Sequence, residues 1–441
     1  MDRAPEILEL IKPHVSSAET FAVNAETVKV GFKGGKLRSS EVQETSGVSI
    51  RVINEGKLGF YSTTDLTDKD RLLEATLNSA KYGGEATFDF AEPAQGEPFE
   101  GYSSETSRMD IQELAEMAQR LAAKVESSTN NDGLMVEVDL SRVTYNQQLT
   151  NTKGVNQKEQ RSALSVSLSA QRVRGDDVLY TFNGHSAIGP EEAFEQLANK
   201  VIEQLNLAEK QVKMDTKEGG LPVVFTPAGS ILLFYPLMLG LSGKNAFLGV
   251  SPLAGKLGEQ LLDPRLTFVD EPIVANRPSS AGIDDEGVPT HTIPFFDKGV
   301  LTSYYYNLKQ AGEAGAKSTG HGQRGMLGQP GASFHNPMIA GGDVAFKDLI
   351  GDIKEGLLVE GVLGLGQTNI LAGQFSNPVS LAFKIENGQV VGRVKDVSIA
   401  GNVYELLKDN LGGISKEVEL VYGQVRLPYI RLENVSTVST N

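Results

Sequence analysis

The chain has 441 residues, a formal net charge of −15 and a sequence pI near 5.0. Such a field repels phosphate backbones, and no Lys/Arg stripe offsets it, so direct nucleic-acid binding is not expected. Cys is absent, which excludes disulfides, thiolate nucleophiles and Cys-ligated metals and leaves nothing to suggest an oxidising compartment.

The opening stretch, MDRAPEILELIKPHV, predicts a short amphipathic helix over 4–11. Charges and prolines interrupt it, so no secretory signal is expected. No run approaches the roughly 18 apolar residues of a membrane span, 231–241 being the longest candidate, and the expected location is cytoplasmic. Residues 20–23 and 27–32 alternate and are β-branched, which predicts two strands. The run 47–53, Asn54-Glu55-Gly56-Lys57 and 58–62 predicts a hairpin closed by a Gly-containing loop. Apolar spacing predicts helices over 65–80, 110–127 and 190–206. The Pro- and Gly-bearing stretch 92–107 predicts a loop, and 136–146, 163–173 and 178–182 predict strands.

Charged residues 209–218 followed by Gly219-Gly220 mark a boundary. Beyond it, short strands separated by Gly, Pro and Asn replace helical periodicity. The expected fold is α+β: an N-terminal α/β domain over 1–215, a sheet with long helices, and a β-rich domain over 216–441.

From residue 283 the sequence reads IDDEGVPTHTIPFFDKGVLTSYYYNLKQAGEAGAKSTGHG. That order of DDEG, short strand, DKGVL turn and STG step resembles the TldD/PmbA family, which is related to zinc metallopeptidases and carries the label modulator of DNA gyrase. SGVSIRVINEGKLGF, the NTKG turn at 151–154, Ile399-Ala400-Gly401-Asn402 and the closing residues 428–435 fit the same family in order. The resemblance implies a two-domain protein that pairs into dimers enclosing a cleft. It also implies that the catalytic member carries His-Glu-x-x-x-His on a helix early in the second domain, with a later Cys completing a zinc site.

With Gly255–Glu259 as anchor, the two His positions of that motif fall on Phe234 and Leu239, and the Glu position falls on Tyr235. Phe and Leu carry no donor atoms, and Pro236 is expected to break a helix there. The resemblance therefore points to the PmbA (TldE) side of the family. It implies no catalytic residue and no metal in this chain, with zinc held only by a catalytic partner.

None of the five histidines is spaced as a helical metal motif. His14 reads as a helix-end residue, His185 as a solvated turn residue and His291 as a surface strand residue. His321 and His335 bracket a glycine-rich loop holding Arg324, and these three with Asn336 are the candidates for a peptide cleft. Asp284, Asp285 and Glu286 read as a turn, because neighbouring strand residues face opposite ways.

Two functions follow from the resemblance. One is a non-catalytic subunit that pairs with a TldD-like partner bearing HExxxH and helps form a cleft for unfolded or small peptides. The other is a stand-alone homodimeric peptide-binding or regulatory protein.

Overall fold

The computed structural model describes residues 3–216 and 218–440. The first half is built on one antiparallel sheet of β1 (Ser17–Lys33), β2 (Lys36–Asn54), β3 (Lys57–Thr63), β4 (Leu134–Asn151), β5 (Asn156–Arg174) and β6 (Asp177–Ala187), in the order β3-β2-β1-β4-β5-β6. The two strands expected at 20–23 and 27–32 are one: β1 pairs with β2 and β4 along its whole length, so neighbours on both sides hold it extended.

Five helices accompany this sheet: α1 (Arg3–Ile11), α2 (Lys69–Lys81), α3 (Ser104–Arg108), α4 (Ile111–Ser128) and α5 (Ala193–Leu207). The long α4 starts at a capping box, with Asp110 accepting from the Gln112 and Glu113 amides and Glu113 reaching back to the Asp110 amide. In β5 the sequence LSVSLSA alternates. Leu164, Val166, Leu168 and Ala170 are buried with the apolar faces of α4 and α5, while Ser165, Ser167 and Ser169 turn to the opposite face.

The second half carries a larger sheet and a short ribbon. Its strands are β7 (Glu218–Phe225), β8 (Phe268–Asp270), β9 (Ile293–Asp297), β10 (Val300–Leu301), β11 (Gly322–Gln323), β12 (Gly331–Ala332), β13 (Pro337–Ile339), β14 (Glu355–Val362), β15 (Gln374–Glu386), β16 (Gln389–Val394), β17 (Val397–Asn402), β18 (Leu411–Val421) and β19 (Val425–Ser439). β11 and β12 pair only with each other. The strands β7, β14, β15, β17 and β19 pair in a closed circuit, since β19 returns to pair with β7. Closure removes most of the free edges that a string of short strands would leave.

This is the α+β architecture expected, with a β-rich second half. The chain passes from one sheet to the other between Leu207 and Glu218. The halves are not separate cores: Val224, Leu358, Phe383 and Ile385 of the second pack in one cluster with residues of α4 and α5.

Helix α6 (Ile231–Gly240) corrects the expectation at Pro236, because the helix runs through it. Apolar packing overrides the local penalty here: Leu232, Leu233, Phe234, Pro236 and Leu237 are all buried. Tyr404 also donates its hydroxyl to the Pro236 carbonyl at 2.9 Å. Among the described residues, no helix is long and apolar enough to cross a membrane.

Candidate functional site

The residues singled out in the sequence converge where the two halves meet. The DDEG segment forms a tight turn, as expected. Asp284 Oδ1 accepts from the amides of Glu286 and Val288, and its Oδ2 accepts from the Gly322 amide at 2.8 Å. A Cβ at position 322 would lie 2.6 Å from Glu286 Oε2, so only glycine lets β11 approach this turn.

Arg51 of β2 binds Glu19 of β1 through Nε and Nη2 and Glu286 through Nη1, at 2.6–2.9 Å. Arg324 Nη2 donates to Glu19 Oε1 at 2.9 Å and to the Asp285 carbonyl, while its amide donates to Asp285 Oδ2. The Arg324 guanidinium also lies 4.6 Å from the centre of the Phe21 ring. The side chains of Glu19 and Glu286 are 0% exposed, Arg51 4% and Arg324 1%. At that depth each charge needs its partner. Burial alone would raise the Glu19 carboxyl, but Arg51 and Arg324 outweigh it and hold it below the ordinary range. Burial, reinforced by Glu286, pushes Asp284 well up, and burial pushes Asp285 up against the pull of Arg324.

His335 and Asn336 pack behind this turn. Their amides both donate to Asp270. His335 Nε2 lies 2.8 Å from the Gly320 carbonyl, and Gln323 Nε2 lies 3.2 Å from His335 Nδ1. Asn336 donates to the Glu271 carbonyl and the Ser280 hydroxyl. His321 is buried in an aromatic cluster with Phe295, Tyr305 and Phe334, its Nε2 3.2 Å from Asp270 Oδ2.

Two cavities open beside these residues and share Pro278, Ser279, Gln323 and His335. The smaller, about 270 Å³, is lined by Arg324, Asp285 and Tyr145 among others. The larger, about 1150 Å³, lies between the open face of the first sheet and α6. Phe234 and Tyr235 line it; Leu239, one turn on, does not. Of the four cleft candidates, His335 and Arg324 therefore border open space, whereas His321 and Asn336 lie behind the wall.

His185 differs from its expected place. It sits on β6 rather than in a solvated turn and is 7% exposed, because Arg277 and Asn276 of the second half reach across to Glu191, which in turn pairs with His185. Sequence spacing held no signal for this junction. His14 and His291 are exposed.

A zinc ion does not fit the α6 positions. Phe234 is packed ring to ring on Phe268, with centroids 5.3 Å apart, and neither phenyl nor isobutyl groups offer a lone pair. Among the described residues, no three His, Asp or Glu side chains converge as a metal ligand set.

Residues 218–439 match the model for the PmbA/TldA metallopeptidase C-terminal domain, and residues 18–81 match that for PmbA/TldA metallopeptidase domain 1. A protein of Methanothermobacter thermautotrophicus named metalloprotease is 27% identical over 96% of this chain and 93% of its own length. TldE from Thermococcus kodakarensis shares the fold with a TM-score of 0.87 at 23% identity, covering 99% of each chain. A Thermotoga maritima protein described as a putative modulator of a DNA gyrase superposes with a TM-score of 0.85, also at 23% identity, covering 98% of this chain and 99% of its own. With the matched C-terminal model covering half of its length, the chain belongs to the PmbA/TldD metallopeptidase family.

Proposed function

We propose that this chain is a PmbA/TldE-like, non-catalytic subunit of a TldD/TldE-type metallopeptidase. In this reading it supplies part of the cleft for unfolded or small peptides and pairs with an HExxxH-bearing chain that holds the zinc. The observation that carries the reading is α6: the helix faces the cleft, yet the two His positions of the motif are Phe234 and Leu239, which cannot ligate zinc, and its Glu position is Tyr235, which offers no carboxylate base. The same chemistry makes the chain inactive as a peptidase by itself. His335 borders this cleft and is held by the Gly320 carbonyl. Arg324 borders the smaller cavity beside it, anchored on Glu19 through Nη2, while its Nε and Nη1 have no hydrogen-bond partner among the described residues.

The test is to purify the chain alone and mixed with an HExxxH-bearing relative, then to follow sedimentation and cleavage of an unfolded peptide. A joint complex and cleavage only in the mixture support the reading. Cleavage by the chain alone, removable together with one zinc per chain, contradicts it. A homodimer that captures peptide but never joins the partner would favour the stand-alone regulatory role instead.

A further inference from the structure

Resting on the cleft reading above, we propose that the larger cavity selects extended polypeptide by seating a large apolar side chain against α6. Ile231, Phe234, Tyr235 and Met238 all line this cavity. Their spacing of three, four and seven puts them on one face of the helix. The opposite face, with Leu232, Leu233 and Leu237, is buried in the core, so the helix is apolar all round and one side of it meets open space. Across the cavity Phe182 and Tyr422 pair with ring centroids 5.2 Å apart.

The floor is of the opposite kind. Strand register sets Glu41, Lys29, Ser141, Ser165 and Ser186 in one row across five strands. The Ser165 and Ser186 hydroxyls lie 2.9 Å apart and bond each other, which leaves each oxygen acceptor capacity for a peptide N–H, and the three short serines let a main chain approach this part of the floor. A strand lying here would turn alternate side chains towards α6 and towards the floor. At about 1150 Å³ the cavity lies near the upper end of small-molecule pockets, roughly 300–1,000 Å³; the row of hydroxyls beneath an apolar wall is what suits a segment of chain. An apolar wall over a polar floor thus favours peptides with a large apolar residue at alternate positions.

Two labelled unfolded decapeptides of equal charge test this. One carries Leu and Phe at alternate positions and the other carries Asn there. Fluorescence anisotropy is measured with the full chain alone and mixed with its HExxxH-bearing partner. The apolar peptide should bind about tenfold more tightly or better, and the double change Tyr235→Gln, Met238→Gln should remove most of that preference. Equal binding of the two peptides by the unaltered protein, a preference that survives the double change, or uptake of a free fatty acid in place of both peptides overturns the inference. Those outcomes leave the proposed function standing if the mixture still cleaves peptide. Failure of the mixture to cleave either peptide counts against the proposed function instead.

Discussion

The α6 wall and the Glu19–Arg51–Glu286–Arg324 network border the same junction between the halves, and their surfaces are opposite in kind. In the network, carboxylates with no exposure are held by two arginines and by the Leu308 amide. Ile231, Tyr235 and Met238 on α6 are only partly buried and face open space. The buried charges of the network are met inside the protein except at Arg324 Nε and Nη1, whereas partly exposed apolar surface in a concave site is not. The difference teaches that the most polar part of this junction holds the molecule together, while its apolar part is free to receive a ligand.

The sharpest way to break that comparison is Arg51→Met. It leaves Glu286 and part of Glu19 buried without their cation, and removing one partner of a buried pair costs about 3–5 kcal/mol. The urea midpoint should fall accordingly; a shift under about 1 kcal/mol would mean that the network does not pin the halves. Gly322→Ala comes next. Its Cβ would press on Glu286 Oε2 and Asp284 Oδ2, so thermal melting should show a loss of about 1–3 kcal/mol.

The smallest effect concerns the second bridge between the halves, His185–Glu191–Arg277. Burial lowers the His185 pKa from 6.5 despite Glu191. Burial alone would raise Glu191, but Arg277 and His185 outweigh it and lower its pKa from 4.5. A histidine whose folded pKa is depressed binds its proton more readily when unfolded, so stability falls as pH drops below 6.5. The depressed Glu191 carboxyl loses its contribution as pH falls further, below 4.5. Melting temperatures between pH 7.5 and 4 should show both losses; His185→Gln should abolish the upper one and only diminish the lower one, because Arg277 still holds Glu191 down.

The sequence made the local elements legible where pattern and caps agree. The apolar spacing of 110–127 and the Gly56 turn of the 47–62 hairpin each specify their element from local sequence. That Phe234 and Leu239 offer no lone pair to a metal is legible from side-chain chemistry alone. Contacts between distant segments were not. Arg51 and Glu286 stand 235 residues apart, and no local periodicity signals their pairing. The helix through Pro236 exists because tertiary packing outweighs a lost hydrogen bond, a balance that single-sequence reasoning assigns the other way. His185 was misplaced for a related reason, because its partner Arg277 arrives from the other half of the chain.

The two walls are separated most directly by titrating the apolar decapeptide onto Glu286→Gln and onto the Tyr235→Gln, Met238→Gln double variant, at a temperature where both are folded. Glu286 lines neither cavity but is fully buried against Arg51. Its neutralisation should cost about 1–3 kcal/mol of stability and leave peptide affinity unchanged. The α6 variant should do the reverse, weakening capture about tenfold with little change in melting. Lost affinity in Glu286→Gln together with undiminished affinity in the α6 variant would contradict the account.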